Sequence, residues 1–249
     1  MSKFTAGIIV IGDEVLSGRT NDKNSSFISK YLIKFGIKLL EIRVISDNSK
    51  EIIRCSKEFS KKYSYVFTTG GIGPTHDDIT SKSISLAFKK KYIIHKEAYK
   101  ILEDYYPKGE LNEGRIKMAK VPQGCRLIYN PITAAPGFKI KNVYVLPGVP
   151  KIMQKMFLSL KKDLIKGNAK KIITIKTNLF ESIMAKKLTN IQKKYKDCEI
   201  GSYPYFNFST KKGGVNIVIS SWTRKDLKII IKQITGMISL LGGKSSIVW

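Results

Sequence analysis

The sequence predicts a three-layer α/β/α domain with a mostly parallel sheet, followed by a small α+β domain of ferredoxin-like order. Three observations predict it. Strand-like runs alternate with stretches of helical period through the first half of the chain. The first of those runs, Ile8 to Ile11, is apolar throughout, as in a strand buried on both faces. After Gly167 and Asn168 the order changes to strand, helix, strand, strand, helix.

The elements follow in order. Ile8 to Ile11 ends at Gly12. In "NSSFISKYLIKFG", Phe27, Ile28, Tyr31, Leu32 and Phe35 recur at helical spacing, and Gly36 stands where a C-terminal cap belongs. Leu39 to Ile45 reads as a second strand and closes in "SDNS". Ile52, Ile53, Cys55 and Phe59 mark one face of the next helix. Tyr65 to Thr69 is a third strand, and Thr80 opens a helix running to about Phe88. A further helix covers about Lys96 to Tyr106. The stretch "KVPQGCRLIYNPITAAPGF" is turn-rich and extended. Asn142 to Leu146 is another core strand, leading through "PGVP" into a helix from Pro150 to about Leu164, since proline suits a first helical turn. This places one domain at residues 1–167. The second, 168–249, contains strands at Lys171–Thr177, Glu199–Tyr203 and Val215–Ser221, with helices at Phe180–Lys194 and Asp226–Leu241; Ile247 and Val248 are available to close its sheet.

Composition narrows the function classes. No apolar run approaches the ~20 residues that cross a membrane, so no membrane association is expected. Cys55, Cys125 and Cys198 are odd in number and widely spaced, which argues against a disulfide framework or structural zinc and fits a reducing cytoplasm. The formal charge of +26 comes almost wholly from lysines scattered without aromatic interleaving, with arginine at six positions only. Such a pattern reads as a solvated surface more than as a nucleic-acid interface, so nucleic acid is not expected as a partner. Small phosphorylated ligands are attracted either way.

Chemistry concentrates in two turns. "TTGGIGPTHDDIT" (Thr68–Thr80) sets Gly70, Gly71 and Gly73 beside Pro74, Thr75 and the adjacent acids Asp77 and Asp78. Glycines there let backbone N–H groups approach a phosphate, while paired carboxylates repel one unless a cation lies between. The bland account is a tight turn with Asp78 or Thr80 capping a helix. The second turn, "IGDEVLSGRTND", follows the first strand and carries Gly12, Asp13 and Glu14. In a parallel sheet it lies on the same rim as the first. Asp47, after the second strand, is available to join them or to serve as an N-cap. His76 reads as exposed, and His95 carries no assignment. "APGF" and "LPGVP", the latter with Pro147 and Gly148, read alone as packing and chain reversal; Arg115 and Lys117 read as a solvated helix start. There is no Walker A loop, no H-E-x-x-H, no G-x-S-x-G and no G-x-G-x-x-G.

Taken together, "IGDEVLSGRTNDKN", "TTGGIGPTHDDIT", "KMAKVPQG", "APGF" and "LPGVPKIM" closely resemble the molybdopterin-binding (MoaB/Mog-like) domain, in the form found at the N-terminus of the CinA family and also in eukaryotic FAD synthases. The resemblance spans about the first 165 residues, and "IGSYPYF" resembles the small domain that follows in CinA proteins. CinA proteins continue into a nicotinamide-nucleotide amidase domain that has no counterpart in this sequence, so amidase activity is not implied. Relatives on the molybdopterin branch resemble "TGGTG" with an Arg-Asp pair, where this chain has Ile72 and His76.

The resemblance implies catalytic roles for Asp47 and Asp78. It implies metal ligation by Asp13, Asp77 and Asp78, and phosphate or nucleotide binding by Gly12, Gly70, Gly71, Gly73, Pro74, Thr75, Thr80, Pro147 and Gly148. It implies a divalent cation (Mg²⁺, Mn²⁺ or Co²⁺), with K⁺ as a further candidate, and metal-dependent cleavage of dinucleotide pyrophosphates such as ADP-ribose or FAD. Molybdopterin binding or adenylyl transfer is the alternative, with molybdopterin as ligand; a non-catalytic nucleotide-binding module is the second. The partner implied is a small nucleotide or pterin-nucleotide, in a homo-oligomer of two or three copies.

Overall fold

The computed structural model describes residues 4–164, 167–210, 212–223 and 225–248. These form two compact units that divide between Gly167 and Asn168.

The first unit runs β1 (Phe4–Ile11), α1 (Asp13–Leu16), α2 (Asn24–Lys34), β2 (Ile37–Ile45), α3 (Ser49–Lys62), β3 (Tyr65–Thr69), α4 (Thr80–Ala87), β4 (Tyr92–Ile94), α5 (Lys96–Tyr105), α6 (Glu113–Lys117), β5 (Lys120–Pro122), β6 (Arg126–Ile128), β7 (Gly137–Ile140), β8 (Val143–Leu146) and α7 (Pro150–Ser159). Its main sheet has the order β2-β1-β3-β8-β7-β6. The first four strands are parallel; β7 and β6 run antiparallel at the far edge.

Alternation along β1 explains the three layers. Ile8 and Val10 are buried on one face with Ile28 and Leu32 of α2 and Phe157 of α7. Ile9 and Ile11 are buried on the other with Ile52 and Phe59 of α3 and Ile84 of α4. A strand sealed on both faces has no polar positions, which is why its sequence lacks alternation. Each such side chain removed from water stabilises the unit by about 1.5–3 kcal/mol.

Chain segments that the sequence left as extended acquire definite roles. The stretch after α6 supplies β5, which pairs with β4 in a separate two-stranded ribbon, and then β6 and β7, which return against β8. β2 begins at Ile37, two residues earlier than its apolar run suggests, because Ile37 packs under α2. The helix from Pro150 ends at Ser159 and tightens into a 3₁₀ turn over Leu160–Lys162.

The second unit runs β9 (Lys171–Thr177), α8 (Glu181–Lys194), β10 (Cys198–Asn207), β11 (Lys212–Ser221), α9 (Leu227–Leu240) and β12 (Ser245–Val248). Its sheet order is β10-β11-β9-β12 with antiparallel neighbours. β9 and β10 are therefore parallel with β11 inserted between them, the split β-α-β arrangement of a ferredoxin-like unit. Ile173, Ile175, Ile217 and Ile219 face Ile230 and Ile234 of α9 in its core. The three cysteines are buried and free. Among the described residues no helix is long and apolar enough to cross a membrane.

Candidate functional site

A cavity of about 530 Å³ opens at the carboxyl ends of β1, β3 and β8. Parallel sheets place ligands there, because the strand-to-helix turns converge at that rim. The turns after β2 and β3 bring Asp47, Asp77 and Asp78 to its wall, and the turn after β1 brings Glu14. Gly70, Gly71, Gly73, Pro74, Pro147 and Gly148 line it as well.

Asp47 is not a helix cap. The N-cap of α3 is Asn48, whose Oδ1 accepts from the N–H groups of Lys50 and Glu51. Asp47 Oδ2 instead accepts the backbone N–H of Asp13 at 3.0 Å. Its Oδ1 has no hydrogen-bond donor among the described residues and lies beside Gly71, 3.6 Å from where a Cβ there would stand. Burial pushes the Asp47 carboxyl above its usual range against the Asp13 bond, and repulsion from Asp13, Glu14 and Asp77 adds to it.

Gly70 and Gly71 have φ of 107° and 68°, backbone that L side chains rarely adopt. A Cβ on Gly70 would fall on the Ile11 carbonyl, so the β3 turn can lie against the end of β1 only with glycine there. Gly73 has no positive φ; it leaves room for Asp78, whose Oδ2 would stand 2.7 Å from a Cβ. Asp78 Oδ2 accepts from the Thr75 N–H at 2.8 Å and from its hydroxyl at 2.6 Å, closing the loop on itself. Asp77 is exposed. The nearby Thr75 hydroxyl, Asp77's own N–H and the charges of His76 and Lys117 hold its carboxyl below the usual range. Lys117 donates to the Thr75 carbonyl, which fastens α6 to this loop.

The remaining residues singled out by sequence lie just outside the cavity wall. Gly12 donates to the Ile45 carbonyl and joins β1 to β2. Asp13 contributes its N–H to Asp47, while its exposed side chain is not part of the wall; Glu14 takes that place. Thr75 organises the loop. Thr80 is the first residue of α4, not its cap, which is Ile79; its N–H donates to the Gly71 carbonyl and its buried hydroxyl has no partner. A ready three-carboxylate cage of Asp13, Asp77 and Asp78 is not formed. Among the described residues no three His, Cys, Asp or Glu side chains converge to hold a metal ion. The local contributions are that Thr75 holds Asp78 Oδ2 and that the exposed Asp13 does not reach the wall.

The donor set nevertheless suits a hard cation. The chain has 45 lysines and arginines and 19 acids, yet four acids and no lysine or arginine line this cavity. Mg²⁺ characteristically takes one or two carboxylates and completes its shell with water and ligand phosphates. The exposed Asp77 and Glu14 beside it on the wall fit that mode, whereas a cation caged by protein alone does not fit. The N-terminus of α7 also opens here through Val149 and Ile152, offering unpaired N–H groups to an anion.

The apolar half of the wall escaped the sequence reading. Ile72, Met118, Ala135, Val149 and Ile152 form it, next to Asn130 and Thr133. Asn130 is spent on its own loop, bonding Ile132, Thr133 and Ala135. In the sequence this stretch reads only as turn-rich and, through "APGF", as part of the family resemblance.

Residues 7–167 match the family model of a probable molybdopterin binding domain, and residues 172–240 match the middle domain of FAD synthase. A protein of Archaeoglobus fulgidus is 35% identical over 227 residues, which is 91% of this chain and 94% of its own. A probable FAD synthase of Caenorhabditis elegans is 34% identical across 80% of this chain but only 44% of its own length. A CinA-like protein of Kosmotoga olearia is 37% identical across 61% of this chain and 38% of its own. Among solved structures, CinA of Thermoplasma acidophilum superposes with a TM-score of 0.62 at 33% identity, covering 66% of this chain and 99% of that one.

Proposed function

Because the chain belongs to the family of the probable molybdopterin binding domain, we propose that its cavity holds two linked phosphates with a divalent cation and hydrolyses the pyrophosphate of an ADP-ribose-like or FAD-like dinucleotide. The observation that carries this reading is the charge inversion of the cavity: four acids and no base, on a chain of net charge +26. Carboxylates alone would repel a phosphate, so the wall suits an anion that arrives with its counter-cation.

When bound, Mg²⁺ or a similar ion would neutralise phosphate oxygens and make the phosphorus more electrophilic. The chain's own residues do the rest. Gly70 and Gly71, whose missing Cβ atoms let their turn pack on Ile11 and Thr80, present bare backbone to the pyrophosphate, and the α7 N-terminus offers it N–H groups. Asp77, ionised and exposed, and Glu14 hold the cation side. Asp47, with its raised pKa and one free oxygen, takes the proton from the attacking water, as a base needs to. The water oxygen bonds to one phosphorus, the bridging P–O bond breaks with its electrons going to the departing phosphate, and two phosphomonoesters leave, at least one of them a mononucleotide. The apolar wall at Met118 and Ile152 suits the flat ring of a base or flavin. The FAD-synthase match over residues 172–240 supports a dinucleotide over a pterin.

Molybdopterin binding or adenylyl transfer is favoured by the family match itself. One experiment separates the two. ADP-ribose, FAD and NAD are incubated with Mg²⁺, Mn²⁺ or Co²⁺, and released mononucleotide is measured beside a parallel assay with molybdopterin and ATP. Mononucleotide release that needs the metal supports hydrolysis; adenylylated pterin with no dinucleotide cleavage would replace it.

A further inference from the structure

The second unit packs its helices on one side of its sheet. Ile173, Ile175, Ile217 and Ile219 meet α8 and α9 there. The residues between them point the other way, and the strand register sets them in rows. One row holds Tyr203 of β10, Asn216 of β11, Lys176 of β9 and Ser246 of β12. The row beside it sets Tyr205 against Gly214, and the one beyond sets Asn207 against Lys212. Both tyrosine rings lie back onto the sheet. A Cβ on Gly201 would stand 2.9 Å from the Tyr203 ring, and one on Gly214 would stand 2.8 Å from the Tyr205 hydroxyl. That hydroxyl donates to the Thr177 carbonyl at 3.2 Å, and Lys176 Nζ is 4.5 Å from the Tyr205 ring centroid. Tyr203 is nonetheless 58% exposed, so its ring is backed by the strand and open in front.

We infer that this open face binds single-stranded RNA, stacking bases on Tyr203 and Tyr205 and drawing phosphates to Lys176 and Lys212. A ring held against a sheet with one side free is a stacking surface, and every base has a face to offer it. Residues two apart on a strand are separated by about 6.8 Å, so neighbouring bases of an extended strand can reach both rings. Charge selects the same occupant. Residues 168–249 carry fifteen lysines and arginines against four acids, Glu181, Asp197, Glu199 and Asp226. Of these acids Glu199 alone belongs to the open face, and it accepts from Lys170 and from the Ser220 hydroxyl. RNA is favoured over DNA because Thr174, Asn216 and Ser246 set hydroxyl and amide groups on the same face, within the strands beside the rings, where a ribose 2′-hydroxyl can be read. Along the sequence the lysines look scattered; the interleaving of rings and cations runs across the strands and exists only once they pair. This inference is independent of the cleavage proposed for the first unit.

Fluorescence anisotropy on the full chain tests this, with a labelled oligouridine of about 12 nucleotides. The titration is run in chelator, so that no divalent cation engages the first unit. The wild type should bind at about 50 mM salt and lose affinity as salt rises. Tyr203→Ala should weaken binding about 10-fold or more, and Tyr203→Phe, which keeps the ring, should stay within about 2-fold of wild type. Lys176→Ala should lower the slope of log affinity against log salt by about 0.7, and it reads the same face without removing a ring should Tyr203→Ala fail to fold. Duplex RNA, whose bases are already stacked, and DNA of matching sequence should bind more weakly, and polyglutamate should displace the RNA poorly. Absence of binding at about 50 mM salt overturns the inference. So does equal affinity for duplex or for DNA, displacement by polyglutamate as effective as by unlabelled RNA, an affinity indifferent to a folded Tyr203→Ala, or a salt slope unmoved by Lys176→Ala.

Discussion

The backbone N–H of Asp13 donates to Asp47 Oδ2 at 3.0 Å, and this one bond joins the rim of β1 to the rim of β2. It fixes one carboxylate oxygen and leaves the other facing the cavity. The carboxylate is thus aimed by an amide and not by a positive side chain, which would have cancelled its charge. An acid held in this way sits near Asp13, Glu14 and Asp77 at a cost that a bound cation relieves.

Asp47→Asn should therefore separate stability from activity. The folded-state pKa of Asp47 is raised, so its ionisation costs stability as pH rises through that value. The amide keeps an oxygen for the Asp13 N–H and removes the repulsion. At pH 7 the thermal midpoint should stay level or rise, while dinucleotide hydrolysis falls about 100-fold or more. For the wild type, Mg²⁺ affinity measured by calorimetry should drop as pH falls through the raised pKa, because a proton on Asp47 removes a negative charge beside the cation. An affinity flat with pH would mean that Asp47 stands too far from the cation to feel its charge.

Gly70→Ala should be among the most damaging single changes in the first unit. The residue has φ of 107°, and its new methyl would meet the Ile11 carbonyl, which belongs to a strand held in the middle of the sheet. Neither partner can move cheaply. A loss of about 3 kcal/mol or more is expected in urea titrations. A loss under ~1 kcal/mol would mean that the turn after β3 does not need to lie against β1.

What could be read from sequence here is what periodicity and chain order carry. Ile8 to Ile11 announced a strand sealed on both faces, and the β-α alternation put Gly70, Gly71 and Asp78 on one rim, with Asp47 left open between that rim and a helix cap. The choice between Asp13 and Glu14 was not legible. Adjacent residues in a short helix differ by about 100° in direction, and only the Asp13–Asp47 bond decides which faces inward. Nor were Met118, Asn130 and Ile152, which come from two loops and a helix start and share no spacing. The antiparallel return of β6 and β7 was hidden for a related reason: strands of three and four residues are too short to display a period.

Asn142 ties two elements that sequence shows as unrelated. Its Nδ2 donates to the carbonyls of Ser60 and Tyr63 at 3.0 and 2.8 Å, and its Oδ1 accepts the Ser60 hydroxyl at 2.6 Å. The C-terminus of α3 is thereby stitched to the turn that enters β8. Asn142→Ala leaves two carbonyls and a hydroxyl without partners in a half-buried place. The expected cost is about 2–3 kcal/mol. Asn142→Asp, which keeps the acceptor and loses both donors, should recover only part of it.

Acid should weaken the edge of the first unit through Glu41. Hydrogen bonds from the Tyr63 hydroxyl at 2.5 Å and from Lys62 at 2.9 Å, with Arg43 bonded alongside, hold the Glu41 carboxyl at about 2 against burial that opposes them. Its folded pKa is depressed, so its contribution is fully present above the ordinary carboxylate value of about 4.5 and is lost as pH falls through about 2. Glu41 is about one quarter exposed, which tempers the effect but does not abolish it. The urea midpoint of the wild type should decline between pH 4.5 and 2. In Glu41→Gln it should start lower at pH 7 and decline less over that window, because the group that titrates is gone. Parallel profiles for the two proteins would show that the Glu41 cluster is solvated in the native state and adds nothing to its acid sensitivity.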